Sequence, residues 1–186
     1  MPSPTDTLLR CSALSEAHRL EAAELASEAM SALYDPVGDE VIPMLAAEFR
    51  VEGSELADAV ALVDSTVDGL VASYPSEEYQ SRQRVSLHHA LGTMSREAGE
   101  RLIARLRLLA DQIPQGGLQG EYVARFAVRN DLRGSGAADR IMDFFVADHG
   151  LVSLHVRNDN ARAIGFYRRH GFVAKTSGRF QLMQRG

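Results

Sequence analysis

The stretch that decides the fold spans residues 121–175 and reads EYVARFAVRNDLRGSGAADRIMDFFVADHGLVSLHVRNDNARAIGFYRRHGFVAK. Within it, Tyr122 to Val128 alternate apolar and more polar side chains, which predicts a strand with one more polar face. The glycine turn Arg133-Gly-Ser-Gly136 then opens a predicted helix from Ala137 to His149, and residues 151–156 form a second predicted strand. This order of strand, turn, helix and strand is typical of an α/β fold.

Outside this stretch, the spacing of apolar residues predicts further helices and strands. On the amino-terminal side it predicts a strand at 8–13, helices at 15–33 and 41–51, and strands at 59–65 and 70–74 that turn across Asp68-Gly69. On the carboxyl-terminal side it predicts a helix at 158–170 and strands at 172–176 and 180–184. Residues 75–119 are the least regular part, with one predicted helix at 95–112.

Together these elements predict a single domain over residues 1–186. The expected fold is α/β, with a mixed, mostly antiparallel sheet of about six to seven strands flanked by helices. Residues 75–119 fall between the third and fourth strands and form a predicted helical insertion.

The composition excludes several classes of protein. Of the 186 residues, 45% are hydrophobic and 24% are charged, which is typical of a globular protein. No apolar run reaches the roughly 18–20 residues of a membrane span, so we expect a cytoplasmic protein without a membrane partner. Cys11 is the only cysteine and none of the six histidines shows a metal-ligand spacing, so we expect neither a disulfide nor a metal site.

The charge is unevenly distributed along the chain. Residues 1–120 carry 19 acidic and 9 basic side chains, whereas residues 121–186 carry 6 acidic and 11 basic ones. Such a division suits a protein that handles two ligands of opposite charge, although an uneven spread of solvated charge produces the same pattern. At this point both interpretations stay open.

The turn between Arg133 and Ala138 is suited to binding phosphate. Glycines permit positive φ angles and close approach to the backbone, and the start of a helix presents unpaired N–H groups. A P-loop is excluded because no Gly-Lys-Ser/Thr sequence follows the turn. A dinucleotide site is disfavoured because a third glycine is absent and the preceding strand alternates. Taken alone, the turn is also explained as a structural connector without a function.

A second motif follows on the next predicted helix. Asn160 and Tyr167 are seven residues apart, two helical turns, so both are expected on one face about 10 Å from each other. An amide and a phenol aligned in this way suit a long ligand. Taken singly, each residue is also explained as a capping Asn or a partly buried Tyr.

The two motifs together resemble the GCN5-related N-acetyltransferase (GNAT) family, whose members use acetyl-CoA. The family's turn has Arg or Gln, two residues, Gly, one residue, then Gly or Ala, and Arg133, Gly136 and Ala138 match it. The family's second motif is matched at Val156, Asn160, Ala163, Tyr167 and Gly171-Phe172. The close similarity covers residues 121–175, which would form the acetyl-CoA-binding core.

The resemblance implies a role for each matched residue. The cofactor-binding residues would be Phe126, Ala127, Val128, Arg133, Gly134, Ser135, Gly136, Ala137, Ala138, Asn160 and Tyr167. Tyr167 would act as the general acid at the CoA sulfur, because an ordinary phenol pKa of about 10 matches that of an alkyl thiol. The arginines nearest the CoA phosphates would be Arg129, Arg133, Arg168 and Arg169.

The general base is less well indicated. Some relatives carry a glutamate near the start of the matching strand, where this chain has Glu121. Alternation puts Tyr122 on the face of Phe126 and Val128, with Glu121 on the opposite face or at the strand end. A water relay, Glu77 or Glu78 are alternatives of equal standing. The insertion at 75–119 would cover the acceptor site, form a contact in a homodimer or only pack on the sheet.

The resemblance therefore predicts an acetyl-CoA-dependent N-acetyltransferase without a metal. Transfer would be direct, within a ternary complex, to a primary amine on a small molecule or a peptide terminus. The alternative is a non-catalytic acyl-CoA-binding module of the same fold. An acetyltransferase toxin that acts on charged tRNA would need a basic acceptor face. The amino-terminal part of this chain is acidic, so no nucleic-acid partner is expected.

Overall fold

A mixed sheet of seven strands organises the fold, and the structure, a computed structural model, describes residues 7–114 and 116–186. The strands are β1 (Thr7–Arg10), β2 (Val60–Val63), β3 (Val67–Pro75), β4 (Glu121–Val128), β5 (Val152–Arg157), β6 (Val173–Ala174) and β7 (Phe180–Arg185). The helices are α1 (Glu16–Ala29), α2 (Ser31–Tyr34), α3 (Val41–Glu48), α4 (Tyr79–Thr93), α5 (Arg96–Ala110), α6 (Ala137–Asp148) and α7 (Ala161–Arg169).

The strand order across the sheet is β1-β2-β3-β4-β5-β7-β6. All neighbouring pairs are antiparallel except β4 and β5, which are parallel. Parallel neighbours require a crossover connection, and α6 provides it. The prediction of a mixed, mostly antiparallel sheet of six to seven strands with helices is confirmed.

Helices pack on both faces of the sheet. On one face, α1 to α5 form an apolar cluster with the sheet that includes the buried residues Leu25, Leu45 and Leu70. On the other face, α6 and α7 form a second cluster that includes Ile141 and Tyr167. The sheet therefore separates two layers, and β4 and β5 lie at its centre.

Helix α4 is the main element that the sequence patterns did not indicate. Of its residues only Arg82 and Ala90 are buried, so the helix has almost no apolar periodicity. Arg82 anchors it instead, because its guanidinium donates to Asp58 at 2.8 Å, to the Ser54 carbonyl at 3.0 Å and to Glu78 at 2.8 Å. Together, α4 and α5 form the predicted helical insertion between β3 and β4.

The β2–β3 hairpin turns at residues 64–66, so the prediction of a turn across Asp68-Gly69 is wrong. The Asp64 N–H and the Thr66 carbonyl are hydrogen-bonded at 3.1 Å within the turn. Gly69 lies inside β3, where a Cβ atom would come within 2.6 Å of Ile141 Cδ1. The glycine serves close packing of α6 on the sheet, and sequence alone does not distinguish that use from a turn.

Strand β4 contains a bulge, because its pairing with β3 skips one residue, Ala124. The bulge reverses the alternation of side chains beyond it. The Tyr122 ring lies 4.9 Å from that of Tyr79 in α4, whereas the Phe126 ring lies 5.3 Å from that of Phe166 in α7. Tyr122 and Phe126 therefore face opposite layers, and the expectation that they share a face is wrong.

Candidate functional site

The parallel strands β4 and β5 separate part of the way along the sheet. In the described part of the chain they pair from Glu121 opposite Val152 to Val123 opposite Leu154, and no further. Beyond that point residues 123–128 and 154–157 line a cleft of about 920 Å³. Backbone N–H and C=O groups that face this gap are available to a ligand that lies along the strands.

The cleft is lined by residues from both layers. One end is formed by the glycine turn, the start of α6 and residues 159–163 at the start of α7. The other end is formed by residues 28–33 of α1 and α2, by Leu109 of α5 and by Phe180. Two ligands that enter from opposite faces of the sheet can therefore meet inside one cleft.

The glycine turn requires glycine for its backbone conformation. Gly134 has a φ of 86° and Gly136 a φ of 88°, and a Cβ atom on either would meet nothing within 4 Å. The left-handed φ angles, and not lack of space, therefore exclude other residues. Gly136 immediately precedes α6, whose first N–H groups carry the partial positive charge of a helix amino terminus.

The predicted cofactor-binding residues are largely brought together here, since all of them except Ser135 and Ala137 line the cleft. Ser135 Oγ accepts a hydrogen bond from the Ala137 N–H at 3.3 Å. Ala137 is fully buried against the α6–α7 layer. These two residues therefore shape the turn.

The predicted phosphate arginines are divided by the structure. Arg133 and Arg169 line the cleft near the glycine turn, and so does Arg162, which the sequence reasoning did not single out. Arg129 is instead paired with Asp131 and Asp68. The positive charge at this end of the cleft therefore comes from a partly different set of residues than expected.

Asn160 is the amino-terminal cap of α7. Its Oδ1 atom accepts a hydrogen bond from the Ala163 N–H at 3.1 Å, and the helix begins one residue later. Because the side-chain oxygen is used by the cap, the amide NH₂ group is what Asn160 can offer to a ligand in the cleft.

Tyr167 is buried at the wall of the cleft. Its ring lies 6.2 Å from that of Phe126 and 5.6 Å from that of Phe172, and the residue is 8% exposed. Burial raises the pKa of the phenol, so the hydroxyl stays protonated at neutral pH. A buried phenol that keeps its proton can act as an acid towards an anion formed in the same cleft.

Glu121, the candidate base, is not among the residues that line the cleft. Its Oε1 atom accepts a hydrogen bond from Ser73 Oγ at 2.8 Å and lies 3.9 Å from His149 Nε2. Among the alternatives, Glu78 is paired with Arg82 and Glu77 is exposed. The geometry gives none of these carboxylates access to the cleft.

A buried polar cluster lies behind β4 on the α1–α5 side, and the sequence reasoning missed it. Arg125, which lines the cleft, donates through Nη2 to Tyr34 Oη at 3.2 Å and to Glu55 Oε2 at 3.4 Å. The Tyr74 hydroxyl donates to Glu55 Oε1 at 3.0 Å. The only feature of the sequence that indicated this cluster was Arg125 itself, an arginine within a predicted strand whose other residues are largely apolar.

Glu48 extends this cluster and is almost fully buried. Burial raises the pKa of its carboxyl to about 7, the hydrogen bond from Ser86 Oγ at 2.5 Å opposes the shift, and Glu55 adds to it. Since the unfolded-state pKa is close to 4.5, the folded protein binds more protons than the unfolded chain between these two values. The contribution of Glu48 to stability is therefore lost as the pH rises through this window.

We expect Glu48→Gln to make the protein more stable above pH 7 by about 3 kcal/mol, because the neutral amide accepts the same hydrogen bond without a buried charge. Near pH 4.5 the two proteins should unfold at the same urea concentration. Urea unfolding at pH 5 and pH 8 measures the difference, with the exposed Glu52→Gln as control. An identical pH dependence in Glu48→Gln and the unaltered protein would contradict the shifted pKa.

Cys11 is fully buried, and burial raises the pKa of its thiol to about 12. A thiol with this pKa is not an activated nucleophile at neutral pH. In the described residues, no helix combines the length and the apolar character needed to cross a membrane. No cluster of three or more His, Cys, Asp or Glu side chains suited to a metal ion occurs in residues 7–114 and 116–186.

The separated central strands, with a glycine turn before a helix at one end, form a site suited to a ligand with a phosphate group and an extended arm. In agreement, residues 96–174 match the acetyltransferase (GNAT) domain family. This match covers residues 96–174 of the 186-residue chain, and over that part it confirms the predicted resemblance to the family. No curated protein sequence matches the chain.

Solved structures show the same fold over the whole chain. An N-acetyltransferase from Staphylococcus aureus Mu50 superposes with a TM-score of 0.72 at 13% identity, covering 96% of this chain and 99% of that one. An acetyltransferase of unspecified source gives 0.67 at 17% identity, covering 96% and 98%. A chain of the NatC complex bound to Gag peptide and CoA gives 0.57 at 10% identity, covering 97% and 98%.

Proposed function

We propose that this protein is an acetyl-CoA-dependent N-acetyltransferase that transfers the acetyl group directly to a primary amine. The observation that carries the proposal is the cleft between β4 and β5, which runs from the glycine turn to the opposite layer of the sheet. CoA, which one of the similar structures binds, has a pyrophosphate for the turn and an extended pantetheine arm for the strand edges. The whole chain would form one catalytic domain.

In this proposal each part of the cleft has one task. The turn amides and Arg133 would bind the pyrophosphate, and the backbone of residues 126–128 would pair with the pantetheine arm. The amine would enter from the α1–α2 end, where Glu28 and the Arg125 cluster lie. Its lone pair would attack the thioester carbonyl, and Tyr167 would give its proton to the leaving sulfur.

The raised pKa of Tyr167 is compatible with the acid role. The proton has to pass to a thiolate that forms in the same apolar surroundings, and burial raises the pKa of a thiol as it raises that of a phenol. The two groups therefore stay matched within the cleft.

The direct test is release of free CoA thiol when acetyl-CoA is mixed with a panel of primary amines that includes small molecules and peptides with free amino termini. Thiol that appears only with an amine, together with the acetylated amine identified by mass spectrometry, supports the proposal. Tight acetyl-CoA binding without such release would instead support a non-catalytic acyl-CoA-binding module.

We expect Tyr167→Phe to lower kcat about 100-fold while the Kd for acetyl-CoA changes less than about twofold. The ring packing against Phe126 and Phe172 is kept, and only the proton donor is lost. Steady-state thiol release and calorimetric titration of acetyl-CoA measure the two quantities. The buried phenol Tyr34 lies outside the cleft, so Tyr34→Phe is the control. An unchanged kcat in Tyr167→Phe would show that Tyr167 is not the general acid.

A further inference from the structure

A chain of polar side chains leads from the cleft to the protein surface through α4. His155 of β5 lines the cleft, and its Nδ1 atom lies 3.2 Å from the hydroxyl oxygen of Tyr122. The hydroxyls of Tyr122 and Tyr79 are hydrogen-bonded to each other, and Tyr79 is bonded to Gln83. Gln83 is exposed on α4. The chain therefore connects the interior of the cleft to solvent.

The inner end of this chain is the buried Nε2 atom of His155, which makes no well-formed hydrogen bond to the residues that the structure describes, although the Pro114 carbonyl acts on the ring. An unpaired polar atom in the interior costs free energy, and a bound group can relieve that cost. His155 follows Leu154, the last residue at which β4 and β5 pair, so it lies where the cleft opens.

The protonation states along the chain leave His155 neutral and both phenols protonated at neutral pH. Burial lowers the pKa of His155 to about 4, against an opposing effect of the Pro114 carbonyl, so the imidazole is neutral at pH 7. Burial also raises the pKa of both phenols, whose surroundings include the charges of Glu55 and Arg125.

We propose that His155 accepts the proton of the acceptor amine and that Tyr122 and Tyr79 pass a proton on to solvent. The inference rests on the proposed acetyl transfer and adds its general base. A neutral imidazole can accept a proton, and its burial prevents it from holding the charge, so an onward path is required. The relay also gives the α4 segment a role, because Tyr79 is its first residue.

The transfer balances in protons and bonds. A protonated amine and acetyl-CoA give an acetamide, free CoA thiol and one proton. Nε2 of His155 takes that proton from the ammonium, Nδ1 gives its own to Tyr122, Tyr122 gives its own to Tyr79, and Tyr79 releases one to solvent. The N–C bond then forms and the C–S bond breaks. The second proton lost by nitrogen balances the one that Tyr167 gives to sulfur.

The sharpest test compares two phenol-to-phenyl changes on the same side of the sheet. Tyr79→Phe removes a hydroxyl of the relay. Tyr74→Phe instead removes a hydroxyl that is bonded to Glu55. The Tyr74 ring also packs on Tyr122, with the two ring centroids 5.5 Å apart. With a peptide α-amine as acceptor, whose ordinary pKa is about 8, we expect Tyr79→Phe to lower kcat about tenfold at pH 7 and less than about twofold at pH 10, where that amine is deprotonated. Tyr74→Phe should show no such pH dependence.

His155→Gln should show the same pattern with a larger loss, about 100-fold at pH 7, and an unchanged Kd for acetyl-CoA. A defect that is equal at pH 7 and pH 10, or a Tyr79→Phe profile that matches that of Tyr74→Phe, would overturn the relay. No amine-dependent thiol release in the unaltered protein would overturn the proposed function, and the base role with it.

A readout that does not depend on activity is the nitrogen NMR spectrum of His155 in protein labelled with ¹⁵N-histidine. We expect a neutral ring at pH 7 with its proton on Nδ1, and loss of that preference in Tyr122→Phe. A proton on Nε2, the form that can donate to the Pro114 carbonyl, would overturn the proposal.

Discussion

Gly136→Val is expected to weaken acetyl-CoA binding about 100-fold, which corresponds to the loss of one or two charge-assisted hydrogen bonds. The residue has a φ of 88°, and a β-branched side chain at such an angle is a conformational outlier. The backbone must therefore rotate, and the turn amides lose their common direction. The strain itself costs the fold about 1–3 kcal/mol.

Calorimetric titration with acetyl-CoA measures the loss, and thermal unfolding separates it from general destabilisation. Gly150→Ala is a suitable control, because Gly150 is not a positive-φ glycine, does not line the cleft and has nothing within 4 Å of an added Cβ atom. Gly136→Ala should give an intermediate affinity. Normal acetyl-CoA affinity in folded Gly136→Val would refute the phosphate role of the turn.

Arg125→Met is expected to lower the free energy of unfolding by about 3–5 kcal/mol, the cost of removing one partner from a buried ion pair. Arg125 is 6% exposed, and its guanidinium is the positive charge that faces Glu55 and the hydroxyl of Tyr34. Methionine fills similar space but leaves the Glu55 carboxylate buried without an opposite charge.

Urea unfolding checks this value, and Arg96→Met provides the matched control. Arg96 is paired with Glu100 on the surface, with side-chain exposures of 91% and 62%, so its loss should change stability by less than about 1 kcal/mol. Adding Glu55→Gln to Arg125→Met should recover part of the loss, because the two residues are coupled. An effect as small as that of Arg96→Met would show that the cluster contributes little.

The elements of residues 121–175 could be predicted because their signals are local. The extended, largely apolar sequence of β4, the positive-φ glycines before α6 and the cap at Asn160 each depend on residues a few positions apart. The predicted strand and helices there agree with the structure to within a few residues. The predicted helix at 15–33 is instead broken at Met30, between α1 and α2.

The errors arise where distant residues decide the local structure. Gly69 has the appearance of a turn residue, but its absent side chain makes room for Ile141 of α6. Helix α4 is formed from a polar stretch because Arg82 bonds to groups 24 and 28 residues away. The bulge at Ala124 exists only in the pairing of β4 with β3. None of these causes is visible in a local pattern.

The charge division between the two parts of the chain gains a more specific interpretation. The basic carboxyl-terminal part contributes Arg133, Arg162 and Arg169 to the end of the cleft with the glycine turn. From the acidic part, Glu48 and Glu55 lie behind β4 near Arg125, and Glu28 lines the opposite end of the cleft. This distribution of acidic residues favours a cationic acceptor, which is part of the proposed function.

The sequence by itself determined the family resemblance and the residues of the glycine turn, because those motifs are short and their geometry is set by neighbouring residues. Only the tertiary structure decided which side chains meet at the cleft and directly behind it. Tyr122 and His155 are 33 residues apart and Arg125 and Tyr34 are 91 apart, so folding the sheet is what brings them together. The parallel strands β4 and β5 separate close to these side chains. The gap between the two strands is where the residues of the separate motifs meet and form one site.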